Sequence, residues 1–545
     1  MTDVVLNHLP GILMIAIFLV MMFLMYMRKI SALLALPAMA FLFSIVGIVR
    51  YGDFWSLLSL LLTPREFLSL QLSAAGFFAL LIILAILGKK GILKGFYLFL
   101  SAVVALALAG FFNYDALCKI LVGGSLGKLF ACFELTTILN EIGHKGMLRL
   151  SDAYTTALFG GMLAMLVKEK KIAETFIKYA AELAGDRPFF VAFAMMLVTA
   201  VLFTALGGLG AIIMVGTIIL PIMISLGLPP VVAAGVMLIG VCAGGSFNPA
   251  NWVLYNKTLN VEVADIQRFS LFVVVLYMIT GAIFIFWGTR GRRATNFWAV
   301  VDAVAPRKKI NPWAMLTPLV PILLIYRLSV FAELAISLQG RFARLDRALD
   351  AFAAFANFWD AYIGAWPFIP AFIAGLAYGV LTTWERGNVR ILTKAMIEGA
   401  ESVMPAVLLM LGIGMLLATF SNQAIQDEIT PLIAPLIPRT RFAYVVGFSI
   451  AAPLALYRGP LNVWGLGFGL AGLLKETTLL PGVLVMGAFI STGAVQGVCD
   501  PTNTHNVWIA NYLGLDVTRM SLRILPFIWI MVVVALAGSV LLFGF

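Results

Sequence analysis

The sequence predicts an all-α polytopic membrane protein made of two inverted repeats, with re-entrant hairpins and with helices broken at the membrane midplane. Three observations lead to this fold class: a very apolar composition, a polar helix break that occurs twice, and basic residues confined to short connections. Of the 545 residues 62% are hydrophobic and 12% are charged, and the mean hydropathy is +1.03. Soluble domains carry about 25% charged residues, so the composition excludes an ordinary soluble fold.

The net charge of +11 does not indicate a nucleic-acid partner, because the basic residues lie in short connections between apolar runs, among them Arg28-Lys29 and Arg307 to Lys309. This is the positive-inside pattern of a protein in the cell (inner) membrane. The first apolar run follows Asp3 and precedes Arg28, the reverse of a signal peptide's charge order. We therefore expect a retained span with its amino end outside.

Taken in order, residues 1–150 are expected to form the scaffold part of the first repeat. Apolar runs long enough, or nearly so, to cross about 30 Å of hydrocarbon predict four spans there, at 9–27, 31–49, 71–88 and 94–112. The glycine-rich residues 113–150 give no assignment.

Residues 151–289 are expected to form the transport part of the first repeat. It comprises a span, an amphipathic stretch, a hairpin with its tip at Gly207 to Gly210, and an apolar helix that runs into the polar break Ser246 to Asn251. A basic linker, 290–311, follows. The second repeat has a scaffold part, 312–399, and a transport part, 400–545, with a hairpin tip at Tyr457 to Asn462 and a break at Asp500 to Asn506.

An offset of 252 residues pairs the two halves. It aligns Gly245 with Gly497, and likewise the prolines and asparagines of the breaks (Pro249 with Pro501, Asn251 with Asn503). Chance matches of Gly or Leu are common in an apolar chain, but Pro and Asn at one fixed offset are not. The number of crossings between the copies and the positions of the basic connections predict that the copies are inverted, an architecture typical of secondary transporters.

The residue types at the breaks suit an ion and an anion. A proline frees backbone carbonyls, and unwound backbone at membrane depth is tolerated only against protein or a watered cavity. Side-chain oxygens beside these carbonyls suit a monovalent cation, and helix amino ends suit an anion. The predicted cation-binding or coupling residues are Asn248, Asp500, Thr502, His505 and Asn506, and the predicted substrate-binding residues are Arg458, Asn462, Asn251, Asn503, Thr504, Gly208 and Gly245.

Plainer interpretations stay open for these residues. Asn-Pro and Asp-Pro also begin turns outside the bilayer, and Arg458 could reach lipid headgroups instead of a carboxylate. Arg458→Ala is expected to abolish transport if the guanidinium binds a carboxylate. His505 could titrate near neutrality or serve as a hydrogen-bonded structural residue.

No catalytic motif is present: the sequence has no HExxH, no GxSxG and no P-loop. Its four cysteines have no metal-ligand spacing. We expect neither an enzyme nor a primary pump, no metal other than sodium, and no cofactor.

The layout of hairpin tips and breaks resembles the ion transporter superfamily, the group that includes citrate, dicarboxylate, gluconate and lactate permeases. The resemblance covers roughly 150–285 and 400–530, with Gly207 to Gly210 and Arg458 to Asn462 similar to hairpin tips. It implies a homodimer in which the transport part slides against the scaffold. The Ser-Asn-Thr triplets that mark sodium sites in the dicarboxylate branch are absent, so the resemblance does not choose between sodium and protons.

The sequence thus predicts a secondary active transporter of a mono-, di- or tricarboxylate, coupled to protons or sodium ions by alternating access. Its partners would be this anion and the lipid bilayer. Two alternatives stay open: a cation/proton antiporter in which Asp500 titrates, and a membrane-embedded enzyme with Asp500 and His505 as acid and base.

Overall fold

The computed structural model describes residues 9–48 except 28, 138–290 except 185 and 186, 311–332, and 346–544 except 385–387, 478 and 479. The predicted spans at 71–88 and 94–112 and nearly all of the basic linker lie outside these residues. The chain divides into two compact units, one made of Met1–Ala40 and His144–Phe545 and the other of Phe41–Gly143. The two helix breaks, the hairpins and the candidate site lie in the first unit.

The described residues form helices and contain no strand, which confirms the all-α fold class. Two helices near the amino end correspond to the first two predicted spans: α1 at Leu9–Tyr26 and α2 at Ala32–Ile48. The first half continues, in chain order, with α3 at Ser151–Glu169, α4 at Ile172–Ala184, α5 at Pro188–Phe203, α6 at Gly208–Ser225, α7 at Pro230–Ser246, α8 at Pro249–Leu259 and α9 at Val263–Thr289.

The second half begins with a 3-10 turn, Pro312–Leu319, and then contains ten α-helices among the described residues. These are α10 at Val320–Ile325, α11 at Asp346–Tyr362, α12 at Phe368–Thr382, α13 at Asn388–Phe420, α14 at Gln423–Ile433, α15 at Arg441–Ala451, α16 at Phe468–Glu476, α17 at Gly482–Cys499, α18 at Thr504–Tyr512 and α19 at Val517–Phe543. A 3-10 segment, Ala452–Arg458, extends α15, and a π-helical turn, Val463–Gly467, precedes α16.

The order of elements in the first transport part recurs in the second. A long helix and an amphipathic helix (α3 and α4, then α13 and α14) precede a hairpin, a broken helix and a 27-residue closing helix. The closing helices α9 and α19 start at Val263 and Val517, which are 254 residues apart, two more than the offset that pairs the helix breaks. The structure therefore contains the internal repeat that the sequence predicts.

Equivalent helices of the two halves run antiparallel. In α3 and α13, Gly161 lies against Gly399 at one end of the contact, and Gly146, just before α3, lies against Gly414 at the other. A Cβ at these glycines would collide with the facing helix, so they permit a backbone-to-backbone crossing.

The closing helices α9 and α19 show the same arrangement. The Phe269 ring lies 5.9 Å from that of Phe543, while the Phe284 ring lies 5.2 Å from that of Phe527, so the numbering rises in one helix as it falls in the other. Two equivalent pairs therefore run in opposite directions, which confirms that the copies are inverted relative to each other.

Six helices of the described chain are long and apolar enough to cross a membrane, or eight if two bent pairs each count as one span. One bent pair is α7 with α8, which meet at 54°. The other joins Gln423–Leu436 to Arg441–Arg458 at 94°. A multi-pass membrane protein is therefore supported, whereas the inner membrane, the outside position of the amino end and the division into scaffold and transport parts stay predictions.

The two broken helices differ in shape. The first break consists of Phe247 and Asn248 between α7 and α8, and Pro249 is the first residue of α8. A proline at this position interrupts no hydrogen bond, because the first N–H groups of a helix have no partner within it. The second break is longer, residues 500–503, with Pro501 inside it; α17 and α18 still count together as one candidate span of 31 residues.

Candidate functional site

The first break is closed by side chains of α8 that bind the end of α7. The Asn251 amide donates to the Gly245 carbonyl at 2.7 Å, and the Trp252 indole N–H donates to the Ser246 carbonyl at 3.0 Å. The sequence-based expectation was that carbonyls freed at the break would face a cation. The Gly245 and Ser246 carbonyls instead accept hydrogen bonds from Asn251 and Trp252, which lie six residues later in the chain, at the start of α8.

The second break is closed in the same way. Asn503 donates to the Gln496 carbonyl at 2.6 Å, and Asn506 donates to the carbonyls of Val498 (3.2 Å) and Asp500 (2.9 Å). The break is therefore a hydrogen-bonded structure in which the side chains of Asn503, the residue before α18, and of Asn506 within α18 replace the missing helical donors.

His505 is part of this arrangement. Its Nε2 lies 3.0 Å from the Gly497 carbonyl oxygen. Since a carbonyl can only accept, Nε2 carries a proton, and Nδ1 is the ring atom left for another partner. One ring nitrogen of His505 thus makes a structural hydrogen bond, as the plainer interpretation of this residue expects. A part of His505 in coupling stays a prediction.

Asp500 binds the tip of the second hairpin, residues 457–462. Its carboxylate is fully buried and accepts hydrogen bonds from the backbone N–H groups of Tyr457 (3.1 Å) and Arg458 (3.4 Å) and from the Asn462 amide (3.0 Å). The Thr502 backbone N–H (2.8 Å) and hydroxyl (2.7 Å) also donate to it. It forms no ion pair with any residue that the structure describes.

The backbone of this tip is strained. Tyr457 and Arg458 have φ angles of 54° and 58°, the left-handed region that side chains with a Cβ disfavour. Two successive residues of this kind need surrounding contacts to hold them. The two N–H groups that bind Asp500 belong to these two residues, so the carboxylate holds the strained segment in place.

Asn248 occupies the equivalent position in the first half. Its side-chain oxygen accepts from the Ala250 N–H at 3.0 Å, which caps α8. Its amide nitrogen lies 3.3 Å from the Phe203 carbonyl and 3.4 Å from the Leu206 carbonyl, both at the tip between α5 and α6. Each break thus contacts the hairpin tip of its own half.

Two amide oxygens near Asp500 are buried and have no hydrogen-bond partner among the residues that the structure describes. They are the Oδ1 atoms of Asn462 and Asn506, whose side chains are 1% and 0% exposed. The amide nitrogen of each donates to Asp500, on its carboxylate or its carbonyl. An unsatisfied buried acceptor costs about 1–3 kcal/mol, so a ligand or water that donates to it, or a cation, would be favoured here.

A cavity of about 190 Å³ lies between the two breaks. The first half contributes α7, α8 and α9, and the second half contributes the turn before α16, together with α16, α17 and α18. None of the residues lining it is Lys, Arg, Asp or Glu. They are Val241, Cys242, Gly245, Ser246, Asn251, Leu254, Tyr255, Tyr277, Val463, Trp464, Phe468, Ile490, Gly493, Gln496, Gly497 and His505.

Three of the predicted site residues line this cavity: Gly245, Asn251 and His505. The others lie elsewhere, close to the hairpin tips and the second break: Arg458, Asn462, Asn503, Thr504, Gly208, Asn248, Asp500, Thr502 and Asn506. Among these, the Arg458 guanidinium makes no hydrogen bond or ion pair with the described residues. Its contact with a substrate stays a prediction.

Several polar residues that line the cavity were not among the predicted site residues, above all Gln496 and the tyrosines Tyr255 and Tyr277. Gln496 was detectable, because it is a polar residue within an otherwise apolar helix just before the break, and such residues are expensive in a membrane. Its side-chain oxygen accepts from the Val463 N–H at 2.7 Å, while its amide nitrogen has no hydrogen-bond partner within the described chain. The tyrosines carried no such signal.

The residues that the structure describes contain no metal-binding group of three or more His, Cys, Asp or Glu side chains.

No protein-family model matches this chain, and no curated protein matches it in sequence. Among solved structures, the chain is similar to the YdaH transporter of Alcanivorax borkumensis, which is described as having an unusual topology. The TM-score is 0.49 at 16% identity, over 76% of this chain and 89% of the other.

It is also similar to MtrF of Neisseria gonorrhoeae, which is described within a class of antimetabolite efflux pumps. The TM-score is 0.44 at 13% identity, over 77% of this chain and 85% of the other. Neither structure is described as a citrate, dicarboxylate, gluconate or lactate permease, so that narrower resemblance gains no support.

Proposed function

We propose that the chain is a secondary active transporter of a small organic anion, which binds in the cavity between the two breaks. The observation that carries the proposal is that both halves line this one cavity at equivalent positions. Val241 and Gly493 both line it, as do Gly245 and Gly497, and each pair is 252 residues apart. A site shared by inverted halves can be reached from either side when one half moves against the other.

The volume of the cavity supports a small substrate. At about 190 Å³ it is smaller than the roughly 300–1,000 Å³ of pockets for drug-sized ligands. With about 30 Å³ for each water, it has the volume of about six water molecules. Short-chain and small cyclic acids fit this volume.

The lining supports a single negative charge. A second or third carboxylate would be buried without a cationic side chain, at several kcal/mol for each uncompensated charge. One carboxylate can be held by neutral donors, since hydrogen bonds to a charged group contribute about 1.5–3 kcal/mol each. The Gln496 amide and the second Asn251 amide hydrogen are available for this, so a monocarboxylate fits best.

The second break supports coupling to a cation. Asp500 is buried and forms no ion pair with the described residues, and the Oδ1 atoms of Asn462 and Asn506, whose amide nitrogens donate to Asp500, have no hydrogen-bond partner among them. A sodium ion takes oxygen ligands, and a proton would neutralise the carboxylate directly. Either ion would relieve the cost of a buried charge, so we propose this region as the coupling site.

Uptake into proteoliposomes tests the proposal. Labelled mono-, di- and tricarboxylates are supplied under an imposed sodium gradient, an imposed pH gradient, or neither. We expect gradient-dependent uptake that is strongest for monocarboxylates. Sodium or proton flux without any acid would favour the antiporter, and no gradient-dependent uptake by folded protein would refute the proposal.

A pair of glycine substitutions locates the site. A Cβ at Gly493 meets only the Val463 side chain, at 4.0 Å, so Gly493→Leu fills the cavity without striking backbone. Gly447 in α15 is exposed and has nothing within 4 Å of an added Cβ, which makes Gly447→Leu the matched control. Uptake should be lost only with Gly493→Leu; equal uptake by both variants would exclude this cavity as the binding site.

A further inference from the structure

In each half of the chain, a side chain of the helix break binds the hairpin tip. In the first half this is Asn248, and in the second it is Asp500, 252 residues later. Both side chains also accept the N–H two residues ahead, Asn248 from Ala250 at 3.0 Å and Asp500 from Thr502 at 2.8 Å. The two positions therefore have the same local geometry in the two repeats.

The polarity of the two contacts is opposite. Asn248 donates its amide hydrogens to two carbonyls of the first tip, those of Phe203 and Leu206. Asp500 accepts from donors of the second tip, of which two are the N–H groups of the left-handed residues Tyr457 and Arg458. Successive N–H groups in such a segment form a concave site for an anionic oxygen, whereas exposed carbonyls require a donor.

We propose that Asn248 and Asp500 are equivalent positioning residues that hold the two hairpin tips on the two helix breaks, and that the polarity of each tip makes them non-exchangeable. A carboxylate at 248 would face two carbonyl oxygens and repel them. In Asp500 one carboxylate oxygen accepts from Thr502 and the other accepts from Arg458 and Asn462. An asparagine at 500 has only one oxygen, so its NH₂ group would face one of these two sets of donors.

The second of these contacts also bears on the proposed transport cavity. Asn462, which donates to Asp500, directly precedes Val463, whose N–H binds the cavity residue Gln496. The Asp500 contact therefore holds the segment that forms one wall of the cavity. This last step rests on the proposed function, whereas the pairing of breaks with tips does not.

Cysteine accessibility tests the pairing without any need for transport. In a variant without native cysteines, Leu206→Cys reports on the first tip and Leu461→Cys on the second; both leucines are buried, at 1% and 4% exposure. Maleimide labelling rates are then measured with Asp500→Asn or Asn248→Asp added. We expect Asp500→Asn to raise labelling at 461 at least tenfold and leave 206 unchanged, and Asn248→Asp to do the reverse.

Thr502→Val is the matched control, because it removes the hydroxyl that donates to Asp500 at 2.7 Å but no contact with the tip. Labelling at 461 should change less than twofold. Equal labelling with Asp500→Asn and Thr502→Val would overturn the proposal. So would a rise at both tips in either variant, which indicates general unfolding. If each substitution raises labelling only at its own tip but the protein transports no acid, this inference is supported and the proposed function is refuted.

Discussion

Replacing Gln496 by glutamate gives the sharpest test of the charge of the substrate. Gln496→Glu keeps the oxygen that accepts from the Val463 N–H at 2.7 Å and has the same shape. It replaces only the amide nitrogen, which has no partner among the described residues, by a second oxygen. The change therefore removes a donor from the cavity and introduces a negative charge, while the contact that holds the hairpin is preserved.

The expected loss is large for an anion. One hydrogen bond from an amide to a carboxylate contributes about 1.5–3 kcal/mol, and 1.4 kcal/mol corresponds to a factor of ten. Its loss alone should raise the apparent KM about 10- to 150-fold. Repulsion between two charges about 4 Å apart adds about 4 kcal/mol at an effective dielectric constant of 20, so uptake at substrate levels that saturate the wild type should fall below detection.

Initial uptake rates in proteoliposomes measure this effect, at pH 6 and at pH 9. The defect should deepen at the higher pH, where the introduced carboxylate is ionised. An unchanged KM at both pH values would show that Gln496 does not contact the substrate. Faster accumulation of organic cations by the variant would show that the substrate has the opposite charge.

Three further predictions follow from single contacts. Gly244→Ala should lower the melting temperature by several degrees, since its Cβ would strike a backbone carbonyl of α5, whereas Gly210→Ala, with nothing within 4 Å, should not. Arg149 pairs with Glu476 at 2.9 Å; in a double-mutant cycle of unfolding, alanine at both positions should cost less than the two single substitutions added together. Arg458→Ala should leave the KM within threefold, because Arg458 does not line the cavity; abolished uptake would place the carboxylate at the second tip.

The repeat and its inversion could be predicted because they depend on residue types that are rare in apolar chains. Pro249 and Pro501 define the 252-residue offset between the two halves, and the basic connections indicate which ends of the spans are cytoplasmic. Neither observation requires knowledge of tertiary contacts. The antiparallel contact of Gly161 with Gly399 then follows from the inversion, because equivalent helices near a local two-fold axis must cross in opposite directions.

The partners of the polar residues could not be predicted in the same way. The donors to Asp500 from the second hairpin tip lie about 40 residues earlier in the chain, and two of them are backbone groups exposed by the φ angles of Tyr457 and Arg458. Sequence spacing carries no information on such angles in residues other than glycine. For the same reason the carbonyls near Gly245 were expected to be free, although Asn251 binds one of them.

The difference between Asn248 and Asp500 gives a physical reason for the coupling site to lie in the second half. An amide satisfies the carbonyls of the first tip at no cost in charge. The N–H groups of the second tip require an acceptor, and the chain uses a carboxylate, which is buried without an ion pair among the described residues. Neutral donors offset only part of the cost of a buried charge. The group that holds the second tip is therefore also the group whose energy depends most on a nearby cation, so binding of a proton or sodium ion there would change how firmly the second hairpin is held against the cavity.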